Sequence, residues 1–320
     1  MALDEATVTL LAQLASTGTA PLHELTPAEA RGAAAALRGQ AGPGPVMARV
    51  QNARVRAAGG SFPIRVLHPV SQPRGVIVYY HGGGWVLGGI DDTDLLGREL
   101  ARRTGCAVVL PGYRLAPEYR YPTAVQDSQA ALRWTADHLG DIADGPVPLI
   151  VAGDSAGGNL AAIAARAARV TGPPVAAQVL VYPVTDCDFA TTSYTDPANQ
   201  LLVSRDAMTW FWDHYAPDRP ARLHPDASPL RAPDLSGLPP AIVITAEHDV
   251  LRDEGELYAT RLLKAGVPVR HRRFAGQMHG FFTMTGVLPG SAAGLDFVAG
   301  ALDEQLGDQL GSRPALADIA

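Results

Sequence analysis

The sequence has few features of a protein that binds a charged partner or relies on disulfides. Lys264 is the only lysine among 26 basic residues, and the 320-residue chain carries a net charge of −6 with only 18% charged residues. This acidic balance argues against nucleic acid or an anionic membrane as the main partner. Cys106 and Cys187 are the only cysteines, too few and too far apart for a disulfide framework or a zinc site.

Long apolar runs are also missing. No run approaches the roughly 18 to 20 apolar residues that span a bilayer, and the acidic residues Asp4 and Glu5 stand where a signal peptide would be basic. We therefore expect a cytoplasmic protein with reduced thiols and no membrane partner. Hydrophobic residues still make up 47% of the chain, enough for one large α/β domain or two ordinary ones.

Short β-rich runs alternate with helical segments from residue 48 onwards. We predict strands at 48–55, 64–67, 76–80, 107–110, 149–152, 179–182, 241–245 and 269–274. We predict helices at 94–103, 124–138, 157–170, 254–265 and 291–306. Such alternation predicts a mostly parallel sheet covered by helices on both faces.

The N-terminal segment, residues 1–47, does not follow this alternation and reads as helical. Thr26 is followed by Pro27 and, three positions after Thr26, by Glu29, which is the pattern of a capping box with proline at the first helical position. We expect the alanine-rich stretch that follows to be helix as far as Leu37.

A second segment outside the alternation lies between the strands predicted near 180 and 241, a gap too long for an ordinary loop. Met208, Phe211, Trp212 and Tyr215 share one helical face there, as in a buried helix stripe. Trp210 lies off that face, so it needs another apolar neighbour or a ligand. We predict that about 186–225 is a cap insertion, packed with 1–47 over the sheet, in a catalytic domain spanning 48–320.

The motif G-x-S-x-G occurs at 153–157, directly after a predicted strand and before a helix expected to start near Asn159. In an α/β-hydrolase this arrangement is the nucleophile elbow. Glycine at both ends avoids Cβ collisions in the sharp turn, and a strained backbone lifts the serine Oγ clear of the sheet. The following helix N-terminus favours developing negative charge. We predict Ser155 as the nucleophile; the alternative is an ordinary glycine-rich turn between a strand and a helix.

A glycine run after the third predicted strand supplies a matching oxyanion loop. His81 is followed by Gly82, Gly83 and Gly84 and then by Trp85. Consecutive glycines let backbone N–H groups approach a substrate carbonyl oxygen. A phosphate-binding loop would instead continue into Gly-Lys-Ser/Thr or form G-x-G-x-x-G, and neither occurs here. We interpret His81 as structural, with its ring hydrogen-bonding the loop.

The acid and the base of such a site follow the serine in the order Asp or Glu, then His. His279 stands in a loop beyond the last predicted strand, whereas His271 falls inside that strand and is interpreted as structural. His248 is interpreted as local packing. Asp249 follows the strand at 241–245 and is the predicted acid. Three other carboxylates compete for that place: Glu247, Asp253 and Glu254.

With these residues in place, the chain resembles the bacterial hormone-sensitive-lipase-like esterases, the family IV carboxylesterases, over about residues 45 to 310. Further motifs that carry the resemblance stand at 113–118, 121–122, 228–230 and 251–254. The resemblance implies an α/β-hydrolase fold with an eight-stranded sheet and a helical cap. It also implies an oxyanion hole from the N–H groups of Gly83, Gly84 and Ala156, and catalysis without cofactor or metal.

The expected function is hydrolysis of short- to medium-chain acyl esters through an acyl-enzyme intermediate on Ser155. The candidate pocket residues are the aromatic side chains Trp85, Trp210, Phe211 and Trp212. The same triad could instead cleave an N-acetyl amide or a lactone. A small-molecule receptor is a third hypothesis, since plant gibberellin receptors resemble this family but lack the histidine that is present here as His279. An interfacial lipase would need an amphipathic anchor, which is not evident. The resemblance also suggests a homodimer through the sheet edge.

Overall fold

Eight strands form one sheet at the centre of the molecule. The computed structural model describes residues 2–18, 20–36 and 42–307. The strands are Arg49–Ala57 (β1), Gly60–His68 (β2), Val76–Tyr80 (β3), Ala107–Pro111 (β4), Leu149–Asp154 (β5), Ala177–Val181 (β6), Ala241–His248 (β7) and Val269–Met278 (β8). Their order is β1-β2-β4-β3-β5-β6-β7-β8. Only the pairs β1–β2 and β2–β4 are antiparallel, so the predicted eight-stranded, mostly parallel sheet is confirmed.

Helices cover both faces of this sheet. Those of the described residues are Glu5–Ser16 (α1), Pro27–Ala36 (α2), Ile90–Thr104 (α3), Thr123–Asp137 (α4), Leu139–Ala143 (α5), Ala156–Thr171 (α6), Thr192–Thr195 (α7), Arg205–Tyr215 (α8), Arg219–Arg222 (α9), Arg252–Lys264 (α10) and Pro289–Leu306 (α11). Helices α3 and α11 pack on one face, and α4, α6 and α10 pack on the other. None of these described helices combines the length and the apolar character needed to cross a bilayer.

The central strands are mostly apolar because both of their faces are buried. In β3, Val76, Val78 and Tyr80 enter the core on the α4/α6 side, while Ile77 and Tyr79 enter the core on the α3/α11 side. The predicted bounds of this strand agree with the structure. Strand β2, which lies next to the edge strand β1, and the edge strand β8 both extend several residues beyond their predicted bounds, since partly exposed strands lack a continuous apolar signal.

The helix after the G-x-S-x-G motif begins at Ala156, so the expected start near Asn159 is wrong. Gly157 and Gly158 lie in its first turn because the helix packs closely on its neighbours. A Cβ on Gly158 would lie 2.9 Å from the Cβ of Pro183. Close packing, not backbone freedom, explains this glycine.

The predicted capping box is present at the start of α2. Thr26 N donates to Glu29 Oε2 at 2.9 Å, and Glu29 N donates to Thr26 Oγ1 at 3.3 Å. Leu37, where the helix was expected to end, lies outside the described residues. The predicted apolar stripe of α8 is also present, with Met208 and Tyr215 at its two ends, both buried.

Candidate active site

The elbow places Ser155 between β5 and α6 in a backbone conformation that serine rarely adopts, with φ 55° and ψ −119°. Such a residue costs about 1–3 kcal/mol and persists only where its surroundings hold it. Ser155 N donates to Val181 O at 2.9 Å, and Val184 N donates to Ser155 O at 3.1 Å. A Cβ on Gly153 would lie 2.3 Å from Gly157 O. The turn therefore excludes a side chain at position 153.

The structure brings Ser155, His279 and Asp249 into one hydrogen-bonded chain. His279 Nε2 lies 3.0 Å from Ser155 Oγ, and His279 Nδ1 lies 2.8 Å from Asp249 Oδ2. Asp249 is fully buried, and its Oδ1 accepts from Leu251 N at 2.9 Å. His279 directly follows the end of β8 and is nearly buried. This geometry allows a proton to pass from the serine hydroxyl to the imidazole while the carboxylate fixes the ring.

Three backbone N–H groups near this hydrogen-bonded triad have no hydrogen-bond acceptor among the described residues. In the described part of the protein, the N–H groups of Gly83, Gly84 and Ala156 donate to no carbonyl and to no side chain. Gly83 and Gly84 have φ angles of +98° and +58°, in the left-handed region that favours glycine. Unpaired donors at a helix N-terminus and in a glycine loop fit the stabilisation of an oxyanion.

The glycine loop is held by Asp154, whose side chain the sequence did not single out. Asp154 Oδ1 accepts from Gly82 N at 3.0 Å and from Tyr79 OH at 2.9 Å. Burial raises the pKa of the Asp154 carboxyl to about 6. An acidic residue at the end of a strand that is otherwise apolar and buried was the available signal.

His81 has the structural role that was expected. Its Nδ1–H donates to Gly82 O at 2.8 Å, and its ring stacks on Tyr113 with centroids 4.2 Å apart. Tyr113 OH donates to His81 O at 2.8 Å. Burial lowers the pKa of His81 to about 4, so the ring is neutral at pH 7. This neutral ring belongs to the wall of the loop.

The other candidate histidines and carboxylates make hydrogen bonds outside the triad or lie away from it. His271 lies in β8, 3.1 Å from Thr245 Oγ1, and His248 ends β7. Among the described carboxylates, only Asp249 bonds to the His279 ring. Each rival accepts a different backbone N–H: Glu247 from Gly276, Asp253 from Ser193 and Glu254 from Thr185.

Two of the four predicted pocket residues are completely buried. Trp85 and Trp212 have no exposed surface. The Trp85 ring stacks on Tyr215 with centroids 4.1 Å apart and contacts the Trp212 ring at 4.9 Å. Neither tryptophan therefore offers exposed surface to a ligand in this structure, because their rings fill the space between the glycine loop and α8.

Phe211 and Trp210 lie differently from those two rings. Phe211 packs directly on the glycine loop, since a Cβ on Gly84 would lie 2.0 Å from its Cδ1. Trp210 is partly exposed, and its Nε1 donates to Leu25 O at 3.1 Å. The neighbour that Trp210 needed is thus the N-terminal segment.

Tyr182 is a second residue that sequence reasoning missed. It follows β6 with a positive φ of 32°, and its fully buried ring lies against the His279 imidazole with centroids 4.4 Å apart. No local pattern marks it, because the contact joins two strand ends that are far apart in the chain.

Comparison with known proteins gives a consistent result. Residues 77–283 match the model of a family described as having the alpha/beta hydrolase fold. Carboxylesterase NlhH of Mycobacterium tuberculosis is 43% identical over 237 residues, which are 72% of this chain and 74% of the relative. An ethyl acetate hydrolase of Pseudomonas putida is 36% identical over 255 residues, 78% of this chain and 80% of the relative.

A solved structure extends the similarity to nearly the whole chain. The hyperthermophilic esterase from the archaeon Pyrobaculum calidifontis superposes with a TM-score of 0.88 at 37% identity, covering 95% of this chain and 99% of that one. In the described part of this chain, no three His, Cys, Asp or Glu side chains are grouped as metal ligands would be.

Proposed function

The chain belongs to the alpha/beta hydrolase family and is a carboxylic ester hydrolase, and we propose that Ser155, His279 and Asp249 are its catalytic triad. The observation that carries this assignment is the continuous chain from Ser155 Oγ through both ring nitrogens of His279 to Asp249. The substrate is a small ester.

The first half of the proposed reaction acylates the serine. His279 Nε2 takes the hydroxyl proton while Ser155 Oγ bonds to the ester carbonyl carbon, and Asp249 stabilises the imidazolium. The tetrahedral intermediate collapses when the bond from carbon to the alkoxy oxygen breaks. The leaving alcohol takes the proton from His279, and the acyl group stays on Ser155.

The second half of the reaction uses water. His279 accepts a proton from water, whose oxygen bonds to the acyl carbon. The bond from that carbon to Ser155 Oγ then breaks, the serine regains its proton from His279, and the carboxylic acid leaves. Both tetrahedral oxyanions would be held by the N–H groups of Gly83, Gly84 and Ala156, for which each donor contributes roughly 10²- to 10³-fold in turnover.

We place the cap in the segments 1–47 and about 186–225, on a catalytic domain spanning 48–320. Two contacts support this division. Trp210 of α8 bonds to Leu25 O of the N-terminal segment, and Phe211 packs on the oxyanion loop. A buried aromatic ring above the loop leaves limited room for the acyl group. This arrangement favours esters of short- to medium-chain acids, with Phe211 and Trp210 as candidate contacts.

The proposal also includes a cytoplasmic location and a homodimer formed through the edge of the sheet. Cys106 and Cys187 are both free thiols, which suits a reducing compartment. Strand β8 is at the edge of the sheet, where its outer side could pair with a second copy. Cell fractionation and sedimentation of the purified chain test these two statements.

Initial hydrolysis rates on p-nitrophenyl esters of increasing acyl length test the triad. The Ser155→Ala and His279→Ala variants should each lose at least about 10³-fold in kcat/KM. The matched control is His271→Ala, which removes a histidine on β8 that bonds to Thr245 and not to the triad. A wild-type maximum at short or medium chains supports the proposed substrates.

Two results would contradict the proposal. Near-wild-type hydrolysis by folded Ser155→Ala would remove the nucleophile assignment. A folded wild-type protein that cleaves N-acetyl amides or lactones faster than any ester in the series would overturn the proposed ester substrates while keeping the triad.

A further inference from the structure

Helix α2 reaches the oxyanion loop through one side chain, Arg31. Its Nε donates to Val86 O at 2.8 Å, and its Nη2 donates to Ala116 O at 2.7 Å. The same guanidinium pairs with both carboxylate oxygens of Glu118, at 2.8 Å each. Four of the five guanidinium N–H groups are thereby used in one rigid arrangement.

The two carbonyl groups that Arg31 holds belong to one connected piece of backbone. Val86 N donates back to Gly83 O at 3.1 Å, so Val86 closes the turn that contains the oxyanion glycines. Ala116 N donates to Trp85 O at 2.9 Å. Arg31 therefore ties the C-terminal end of the oxyanion loop to the neighbouring segment that braces it.

This loop needs bonds from outside itself. Gly83, Gly84 and Trp85 have three consecutive positive φ angles, of +98°, +58° and +60°. Glycine adopts such angles easily but does not prefer them over others, and a tryptophan there is strained. Because these φ angles can change at low cost in free energy, an unsupported loop could adopt another conformation and turn its N–H groups away from the substrate oxygen.

Glu118 keeps the guanidinium in place. The hydrogen bonds from Arg31 hold the pKa of Glu118 at about 2, so the carboxylate stays ionised over the working pH range of an esterase. The planar guanidinium meets the carboxylate on one side and the two carbonyls on the other. A lysine could supply the charge but not this fork of donors.

We infer that Arg31 is a positioning residue for the hydrolysis, through which the N-terminal helix holds Gly83 and Gly84 in donor geometry. The inference rests on the proposed function, because it matters only if these glycines bind the oxyanion. It assigns the N-terminal segment a part in transition-state stabilisation in addition to covering the site.

The test compares Arg31→Met and Arg31→Lys with the matched control Arg270→Met. Arg270 pairs with Glu304 on the surface of β8 and α11, so its loss also leaves one unpaired glutamate. We expect kcat to fall about tenfold in Arg31→Met, part of the 10²- to 10³-fold cost of losing a donor outright. KM should change less than about threefold, Arg31→Lys should lie between, and the control should match the wild type.

A second readout separates positioning from a merely structural role. A trifluoromethyl ketone forms an adduct with Ser155 whose oxyanion occupies the hole, as a transition-state analogue does. The concentration of active sites in each variant is first titrated with an organophosphonate. The Ki of the ketone should then rise by the factor by which kcat/KM falls. An uncharged product alcohol should bind all variants equally.

The outcomes are distinguishable from failure of the proposed function. Unchanged kcat in Arg31→Met, or a lower kcat with an unchanged Ki for the ketone, overturns the inference while wild-type hydrolysis and its loss in Ser155→Ala still stand. If Arg31→Met does not fold, Arg31→Lys and Glu118→Gln carry the same comparison. Parallel losses of kcat and ketone affinity in those two variants support the inference.

Discussion

Gly84 and Phe211 make a contact so close that a double-mutant cycle can measure it. A Cβ on Gly84 would lie 2.0 Å from Phe211 Cδ1 and 2.2 Å from Cγ. Carbon atoms in van der Waals contact lie about 3.5–4.0 Å apart, so the ring would have to retreat by roughly 1.5 Å. Phe211 is only 5% exposed, and α8 also buries Met208, Trp212 and Tyr215.

The expected magnitudes follow from these contacts. Gly84→Ala places an alanine at a φ of +58°, which costs about 1–2 kcal/mol, and the overpacking adds about 1–3 kcal/mol. Phe211→Ala should cost about 3–5 kcal/mol by leaving a cavity. In the double variant the backbone cost remains but the collision is gone. The double variant should therefore lose about 2 kcal/mol less than the sum of the single variants.

Urea unfolding of the four proteins measures this coupling. The control cycle pairs Phe211→Ala with Gly266→Ala, because Gly266 also has a positive φ of +81° but has nothing within 4 Å of an added Cβ. The control pair should be additive within about 0.5 kcal/mol. Equal additivity for Gly84→Ala and Phe211→Ala would refute the contact between α8 and the glycine loop.

Two further predictions concern a buried ring and a buried base. Tyr182→Leu should lower kcat about tenfold with little change in KM, because the ring that packs against the His279 imidazole is lost. Tyr182→Phe keeps the ring and should keep the wild-type kcat. Equal activity of the two variants would contradict this role. Burial and Arg49 lower the pKa of His68 to about 4. This folded value lies below the value of about 6.5 in an unfolded chain, so the stabilisation is complete above pH 6.5 and is lost as the pH falls towards 4. Urea unfolding at pH 6.5, 5.5 and 4.5 should give a smaller dependence of the unfolding free energy on pH for His68→Gln than for the wild type. An identical pH dependence in the two proteins would contradict the linkage.

The sheet and the elbow could be predicted because their signals are local. A strand buried on both faces must be apolar at consecutive positions, as in Val76–Tyr80, and no polar run imitates it. The G-x-S-x-G turn excludes side chains by contact with the adjacent backbone, so its glycines mark Ser155 within five residues. Chain order then limits the acid and the base to a few candidates after the serine.

The aromatic residues could not be assigned from the sequence. Periodicity places Trp212 on the buried face of α8, but it does not say what that face meets. In the structure that face meets Trp85, which leaves the glycine loop with a φ of +60° and turns its ring into the core. A large aromatic residue after three glycines resembles a pocket residue in sequence, but here its ring packs the loop against α8.

The glycine loop at 82–84 shows why residues that position a loop have no local sequence pattern. Its glycines make the required turns easy, yet the same freedom means that other segments must hold the loop. The groups that do so are distant in the chain: Arg31 lies 55 residues before the Val86 carbonyl, and Asp154 lies 72 residues after the Gly82 amide. Neither contact has a periodicity or a fixed spacing. The role of a single arginine in an alanine-rich helix therefore cannot be predicted until the fold shows which carbonyl groups it binds.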